Sequence, residues 1–358
     1  MTPLHPQRLS WAITGGIEAL APLAGVRFDR LFRELDAIEE AWSRGLPRAI
    51  AALGPDVPFG QPRWASISYG HINTLGSRLI FPEDSEVAHT PVFACLADGL
   101  RALEREVDFT TQGLFPFYLD LWDRLKKAFP GRPLPFGGFG LEGPVTTAWL
   151  LRGHGFFMDL YDDPEGARRF LELCTDSIVR YRLALMAVNG QTPQPGGGAY
   201  VADDGAAMIP PALWPEFVVP VLERFYGQAT WRGLHMEDLT RDHLPFLKEL
   251  RISDFDPSVS RKITPADIVE LAPGIPFTWR LNEMETASFS PEETAYWVIE
   301  AAVQGAPGVR TGVWRNTVTE RAFANFNVFR DTAKKADALL AQGCPRMQLA
   351  DELGKRKH

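Results

Sequence analysis

The sequence is poor in cysteine. Its three cysteines, Cys95, Cys174 and Cys344, are odd in number and far apart, so they provide neither a disulfide framework nor the paired spacing of a zinc ribbon. The mildly apolar N-terminal stretch is interrupted by Glu18 and does not read as a secretory signal. Apolar runs of about 20 residues, the length that spans a bilayer, are also missing. We therefore expect a cytoplasmic protein without a membrane partner.

Basic charge is also scarce. The chain has 37 Lys and Arg against 45 Asp and Glu, which gives a net charge of −8 without long blocks of one sign. A nucleic-acid partner would need a basic surface, so we expect none. The hydrophobic fraction of 45% and the charged fraction of 23% are typical of soluble domains with a sizeable core. These numbers favour a globular protein.

No fixed repeat and no low-complexity linker divides the 358 residues, so we expect a single domain. From about residue 134 onward, short apolar runs alternate with longer helical patterns. The strand candidates are "LPFGGFG" (134–140), "GAYVAD" (198–203), "TWRGLH" (230–235), "LRISDFD" (250–256), "IPFTWRL" (275–281) and "GVRTGVW" (308–314), with "RWASISY" (63–69) as a further strand.

Helix starts between these strands are marked by capping residues. Asp163, Thr264 and Ser290 each precede a proline, and a similar start lies at 317–320. The helix after Asp163 has an apolar stripe that includes Cys174, so we expect this thiol to pack in the core.

Six consecutive β-then-α units imply parallel strands with crossover helices. Such a pattern suits a closed barrel or an open doubly wound sheet, and the absence of a Gly-x-Gly-x-x-Gly turn favours the barrel. The prediction is an α/β fold, a (β/α)8 TIM barrel with a helix-rich N-terminal extension. We expect the extension at about 1–60, the barrel at about 61–340 and a C-terminal tail at 341–358, ending in the solvated basic "GKRKH".

In such a barrel the active site gathers at the carboxyl ends of the strands. His235 and Glu237 follow the strand "TWRGLH", and residues two apart in an extended segment point to the same side. The pair could bind zinc, which in catalytic sites has three protein ligands, or transfer protons. A structural interpretation also stays open, in which His235 donates to a backbone carbonyl and Glu237 pairs with an arginine.

Other strand ends supply further candidates. Asp203 and Asp204 are adjacent, so only one can face inward, and Asp204 is the predicted proton-transfer group. Three Trp-Arg pairs could hold a carboxylated or aromatic small molecule, although arginines stacked on tryptophan are also common structural features. The predicted substrate-binding residues are His71, Arg280, Asn282, Glu283, Trp314 and Arg315.

Several segments together resemble the uroporphyrinogen decarboxylase superfamily, which includes porphyrinogen decarboxylases and corrinoid-linked methyltransferases. The segments are "FGLEGPVTTAWLLRG" (139–153), "FMDLYDDPEGARRFLELCTD" (157–176), "VADDGAAMIPPALWPEFVVPVL" (201–222), "RGLHMED" (232–238) and "ISDFDPSVS" (252–260). The resemblance implies the same barrel. The arginine-rich R-Q-A-G-R-Y signature of true porphyrinogen decarboxylases is absent before Gly60, whereas 76–104 is similar to the methyltransferase branch.

Methyltransferases of this superfamily bind zinc through a His-x-Cys pair and a distant cysteine. Here His235 matches the histidine, Glu237 takes the place of the first cysteine, and "TGVWRNTV" (311–318) has no cysteine. Zinc held by histidine and glutamate would be a harder Lewis acid than zinc held by cysteines. The replacement of the cysteines could equally mean that zinc is lost. Asp256, Glu283 or Glu285 could complete a metal site.

The resulting prediction is an enzyme that demethylates a small O- or N-methylated compound and passes the methyl group to a corrinoid on a carrier protein. His235 and Glu237 would bind zinc or polarise the leaving atom, and Asp204 would help proton transfer. One alternative is a cofactor-free decarboxylase, and another is a non-catalytic binding barrel. A homodimer is also left open.

Overall fold

The computed structural model describes residues 8–194 and 196–354, so the predicted basic tail lies outside the described residues except for Gly354. The described residues form eight β-strands: β1 (Ser10–Gly15), β2 (Leu79–Ile80), β3 (Ala88–His89), β4 (Gly198–Ala202), β5 (Trp231–His235), β6 (Asp254–Asp256), β7 (Trp279–Leu281) and β8 (Gly308–Val313).

The α-helices of the described residues are α1 (Ile17–Ala24), α2 (Leu35–Glu40), α3 (Leu46–Leu53), α4 (Gly70–Thr74), α5 (Leu96–Leu103), α6 (Phe115–Ala128), α7 (Pro144–Arg152), α8 (Gly155–Asp162), α9 (Pro164–Val188), α10 (Trp214–Phe217), α11 (Val219–Tyr226), α12 (Leu244–Glu249), α13 (Pro265–Leu271), α14 (Glu283–Ser288), α15 (Pro291–Val303), α16 (Glu320–Ala341) and α17 (Leu349–Glu352). A π-helical turn, Ala41–Gly45, joins α2 to α3.

Two parallel three-stranded sheets form the centre of the molecule. One has the order β1-β8-β7 and the other the order β4-β5-β6, whereas β2 and β3 pair as a small antiparallel hairpin. Parallel strands need crossover connections, and helices alternate with the strands from β4 to β8 as the sequence predicts. The predicted α/β class is confirmed.

Several contacts extend these sheets. A parallel bridge joins Phe255 of β6 to Phe277, just before β7, and a second parallel bridge joins Ile67 to Phe139. The amide of Gly143 donates to the carbonyl of Ala202 at the end of β4 over 2.6 Å. The predicted strands at 63–69 and 134–140 are thus reduced to one bridge, in segments where Gly137, Gly138 and Gly140 weaken strand formation.

The N-terminal part needs a correction, because the predicted helical extension at 1–60 contains strand β1. All six residues of β1 pair with β8, from Ser10 opposite Gly308 to Gly15 opposite Val313. This strand is not predicted from the sequence because its apolar residues merge with those of helix α1. The first residues described therefore belong to a central sheet.

The helix starts follow the predicted capping chemistry. Asp163 accepts from the amide of Gly166 at the start of α9, and Thr264 and Ser290 form capping boxes at α13 and α15. The cap of α16 is Thr319, within the predicted start at 317–320. Cys174 on α9 is fully buried, as predicted. None of the described helices is both long and apolar enough to span a membrane.

Candidate active site

The carboxyl ends of β5 and β6 bring a histidine and a carboxylate together. His235 is the last residue of β5, and its register partner Asp256 is the last residue of β6. The Nδ1 atom of His235 lies 2.7 Å from Oδ2 of Asp256. This contact leaves Nε2 as the ring nitrogen available to a substrate or to another protein group.

Asp256 is itself held from two sides. Arg310 of β8 donates from Nη2 to Oδ2 of Asp256 over 2.5 Å, and the amide of Ser258 donates to Oδ1 over 2.9 Å. Ser258 adopts a left-handed backbone conformation with φ of 51°, which turns this amide back toward the carboxylate. Burial alone would raise the pKa of Asp256, but the hydrogen bond from His235 and the charge of Arg310 lower it to about 2.

The other side of His235 faces Asp204. The distance between Nε2 of His235 and Oδ1 of Asp204 is 3.7 Å, and the amide of Glu237 donates to the same Oδ1 over 2.7 Å. Burial would lower the pKa of His235, but the hydrogen bond to Asp256 and the charges of Asp256 and Asp204 raise it. The imidazole is therefore stabilised in its protonated form between two carboxyl groups.

Two more carboxyl groups near the same strand ends have raised pKa values. Burial raises the pKa of Glu142 to about 8, with Asp204 and Asp203 adding to the rise and the Ser68 hydrogen bond opposing it. Burial also raises the pKa of Asp203 to about 6, although the amides of Thr146 and Val145 donate to it. Asp203 is fully buried against the start of α7, so Asp204 is the inward-facing member of the pair. We call His235, Asp256, Arg310, Asp204 and Glu142 the strand-end cluster.

Glu237 follows the end of β5 by two residues, and its negative charge adds to the rise in the pKa of His235. Strand β5 ends at His235, so Glu237 lies in a bend and the same-side rule for extended residues no longer applies. Its Oε1 accepts from the amide of Val259 over 3.3 Å. His235 forms ion pairs with Asp256 and Asp204.

The donor set does not fit the zinc site suggested by the resemblance. Within residues 8–194 and 196–354, no group of three or more His, Cys, Asp or Glu is arranged to hold a metal ion. A catalytic zinc needs three protein ligands, and here Nε2 of His235 faces one carboxylate, that of Asp204. Of the proposed completing ligands, Asp256 is engaged by Nδ1 of His235 and Glu283 by Arg280, while Glu285 lies in helix α14.

The predicted residues after β7 lie at the rim. Arg280 pairs with Glu283, and its Nη1 lies 3.5 Å from the hydroxyl of Ser258. Asn282 is nearly buried and caps α14 by accepting from the amide of Glu285 over 2.8 Å, which is a structural role. Arg280 and Glu283 also line a cavity of about 230 Å³ with Arg63 and Trp314.

The two other predicted substrate contacts are placed differently. Arg315 stacks 4.6 Å above the ring of Phe28 and donates to the carbonyl of Asp84 over 2.6 Å, so it anchors the loop between β2 and β3. His71 is fully buried and its Nε2 lies 2.9 Å from the hydroxyl of Ser177. Burial and the charge of Arg180 lower the pKa of His71 to about 3, so it is a neutral core residue. Its predicted contact with substrate is not supported.

Comparison with known proteins identifies the family. The sequence pattern of the family described as "Uroporphyrinogen decarboxylase (URO-D)" matches residues 69–262, which is more than half of the chain. The chain belongs to the uroporphyrinogen decarboxylase family. A comparison with curated proteins finds no match.

One solved structure shares the fold over nearly the whole chain. A methyltransferase from Methanosarcina mazei superposes with a TM-score of 0.66 at 16% identity, covering 93% of this chain and 95% of that one. At this identity the likeness shows the fold alone. The Amycolatopsis orientalis BexX/CysO complex reaches a TM-score of 0.31 at 18% identity, over 47% of this chain and 65% of that one.

The match to the uroporphyrinogen decarboxylase family covers His235, Asp256, Asp204 and Glu142 of the strand-end cluster. Arg310 lies outside the matched residues, and it was not predicted as a site residue because it precedes the end of its strand. The signal that could have revealed it is alternation: Val309 and Thr311 are buried on the helix side, so Arg310 must face the other way.

Proposed function

We propose that this member of the uroporphyrinogen decarboxylase family demethylates a small O- or N-methylated compound. The observation that supports the proposal best is the orientation of His235, whose Nδ1 is held by Asp256 while Nε2 faces Asp204 at the strand ends. A histidine fixed in this way is suited to general acid catalysis, and Glu142 supplies a second protonated group at neutral pH.

We also propose that the strands close into a (β/α)8 barrel. It is supported by the parallel bridge between Phe255 and Phe277, which connects β6 to the segment of β7, and by the pairing of β8 with β1. Arg310 reaches Asp256 from the opposite sheet, as expected if the two sheets face each other across one interior. In such a barrel the strand-end cluster lies at the mouth, where active sites of this fold are found.

The chemical step would be demethylation with protonation of the leaving atom. The bond between the methyl carbon and oxygen or nitrogen breaks, and its electron pair stays on the heteroatom. Glu142 or the His235 imidazolium donates a proton to that atom, while the methyl group passes to a nucleophilic acceptor. Asp204 would stabilise the positive charge of His235 before the transfer and accept hydrogen bonds from the product hydroxyl or amine.

The resemblance to the corrinoid-linked branch suggests the acceptor, a reduced corrinoid on a carrier protein. In a variant of this proposal, zinc bound by His235 and Glu237 would polarise the leaving atom. The described residues around His235 offer too few metal ligands, which favours proton transfer by the protein's own side chains. A homodimer and a cytoplasmic location remain predictions.

Decarboxylation is the second candidate, and one observation favours it. Arg63 and Arg280 line the same cavity of about 230 Å³ at the ends of β1, β7 and β8. Two guanidinium groups can hold a substrate carboxylate, and a protonated carboxyl group such as Glu142 could protonate the carbon that carbon dioxide leaves.

A single substrate separates the two reactions. Purified protein would be incubated with 4-methoxybenzoate and cob(I)alamin, with trimethylamine tested in parallel. Demethylation yields 4-hydroxybenzoate and methylcobalamin, whereas decarboxylation yields methoxybenzene and carbon dioxide. We expect demethylated product from at least one of these compounds, reduced about 10²-fold or more in His235→Gln.

The matched control is His154→Gln, because His154 is an exposed histidine on the surface. It should retain full activity. Carbon dioxide release without methylcobalamin would replace the proposal by the decarboxylase. A protein that binds these compounds without converting any of them, and whose affinity is unchanged in His235→Gln and Glu237→Ala, would be a non-catalytic binding barrel.

A further inference from the structure

Two aromatic side chains below the strand-end cluster are each paired with a glycine on the neighbouring strand. In the register of β4 and β5, Gly198 lies opposite Trp231 and Tyr200 lies opposite Gly233. The aromatic residue is on β5 in the first pair and on β4 in the second. We call Tyr200, Trp231 and these two glycines the aromatic wall.

The glycines allow both rings to lie across the sheet. A Cβ atom on Gly233 would come within 2.5 Å of Cδ2 of Tyr200 and 2.6 Å of Cη2 of Trp231, and one on Gly198 would come within 3.0 Å of Cε3 of Trp231. Real Cβ atoms do not approach other atoms so closely, so a side chain at Gly233 would displace both rings. Both rings therefore occupy the space above Gly233, on the face of β5 that also carries His235.

Solvent reaches both rings although they lie in a central sheet. Tyr200 is 48% exposed and Trp231 is 43% exposed, whereas Val201 and Leu234 on the opposite face are buried. In most barrels of this class, bulky aliphatic side chains fill the interior in layers. Here Gly198 and Gly233 accommodate the two rings themselves, and Ala202, which has the same orientation on β4, is the small residue above them.

The aromatic wall lies next to the catalytic groups. His235 follows Gly233 by two residues on the same face of β5, a rise of about 7 Å along the strand. Tyr200 interacts electrostatically with Asp256, Arg310, Asp254 and Asp204, and burial together with the charge of Asp256 raises its pKa to about 12. Tyr200 is therefore neutral at physiological pH, and three residues of the strand-end cluster, Asp256, Arg310 and Asp204, are among the charges that act on it.

We infer that the aromatic wall is a binding subsite for a flat, uncharged aromatic ring of the substrate, whose reacting group would then point up toward His235. Flat rings stack well on tyrosine and tryptophan faces that lie along one surface, and the exposure of both side chains leaves part of their surface accessible to a ligand. A methylammonium group would instead need rings arranged around it as a cage. The inference rests on the proposed function, because it names the substrate class of the same site.

The test measures binding separately from turnover. Calorimetric titration of the full-length protein would compare methoxybenzene, cyclohexyl methyl ether and tetramethylammonium. We expect methoxybenzene to bind at least fivefold more tightly than the two other probes. Tyr200→Leu should weaken methoxybenzene binding at least fivefold, while Tyr200→Phe, which keeps the ring, should weaken it less than twofold.

The matched control is Tyr161→Leu, because Tyr161 is 63% exposed on α8 and away from the aromatic wall. Equal affinity for methoxybenzene and its cyclohexyl analogue, preferential binding of tetramethylammonium, or unchanged binding in Tyr200→Leu with an unaltered unfolding temperature would each overturn the inference. Selective aromatic binding without any methyl transfer or carbon dioxide release would leave the subsite intact and reject the proposed function instead.

Discussion

His235 and Asp256 end neighbouring parallel strands, and the 2.7 Å contact between Nδ1 and Oδ2 fixes the orientation of the imidazole ring. Arg310 donates to the same carboxylate oxygen from the other parallel sheet. The orientation of His235 therefore depends on residues from three strands, and removal of either partner should affect the histidine before it affects the fold.

The first prediction concerns Asp256. Asp256→Asn removes the charge that raises the pKa of His235, so the imidazole should lose its proton at a lower pH. We expect a loss of activity of about 10²-fold at pH 8 and a shift of the alkaline limb of the pH–rate profile toward lower pH. Steady-state rates from pH 5 to 10 measure both. Asp254→Asn, at the other end of β6, is the control, and a profile with an unmoved alkaline limb would contradict the assigned role.

The second prediction concerns Glu142, whose pKa is raised to about 8 by burial. A general acid is active below its pKa. Glu142→Gln should therefore lower activity about 10²-fold or more and remove the fall in the pH–rate profile near pH 8. A raised pKa in the folded state stabilises the protein at low pH, and this contribution is lost as pH rises to about 8.

Glu142→Gln should therefore unfold at a higher temperature than the unmodified protein at pH 9, where Glu142 is charged. Thermal unfolding followed by circular dichroism at pH 6 and pH 9 tests this. The exposed Glu249 provides the control Glu249→Gln, for which the difference between the two pH values should equal that of the unmodified protein. A lower unfolding temperature for Glu142→Gln at pH 9 would argue against a buried, neutral Glu142.

The third prediction separates Asp203 from Asp204. Asp203 accepts from two amides in the first turn of α7, so Asp203→Ala should lower the free energy of unfolding by about 2 kcal/mol, the upper part of the range for helix caps. Urea unfolding measures the change, with the exposed Asp56→Ala as control. Asp204→Asn should lower activity with little change in stability, and the opposite pattern would mean that the two roles are exchanged.

The fourth prediction concerns metal. Because His235 faces one carboxylate and not two further donors, we expect protein purified without chelator to contain less than stoichiometric zinc. Treatment with a chelator followed by dialysis should leave turnover unchanged. One zinc per chain that is lost in both His235→Ala and Glu237→Ala, together with chelator-sensitive activity, would instead support the zinc form of the proposal.

The sequence was informative where a local pattern determines the structure. The alternation in "GAYVAD" and "TWRGLH" predicted β4 and β5 closely, and the capping residues Asp163, Thr264 and Ser290 predicted three helix starts. These features depend on neighbours within a few residues. The placement of His235 at a strand end followed from the same local signals.

The partners of His235 could not be predicted in the same way. Arg310 is 54 residues from Asp256 in the sequence, and only the tertiary fold brings the two side chains together. The convergence of Glu237 with His235 stays a prediction, because the spacing rule holds only while the chain stays extended and the strand ends two residues before Glu237. His71 was misjudged because a glycine-flanked histidine carries no sign of whether helices will cover it.

The pairing of β1 with β8 joins two strands that lie almost 300 residues apart in the sequence. A chain shortened to begin after Gly15 would leave one edge of β8 without its hydrogen-bonding partner. Such an uncovered edge invites pairing with other molecules, so truncation at the amino terminus should cause aggregation instead of yielding a smaller folded core. Fusion partners or tags placed ahead of Arg8 would need a flexible spacer, so that they do not disrupt the pairing of β1 with β8.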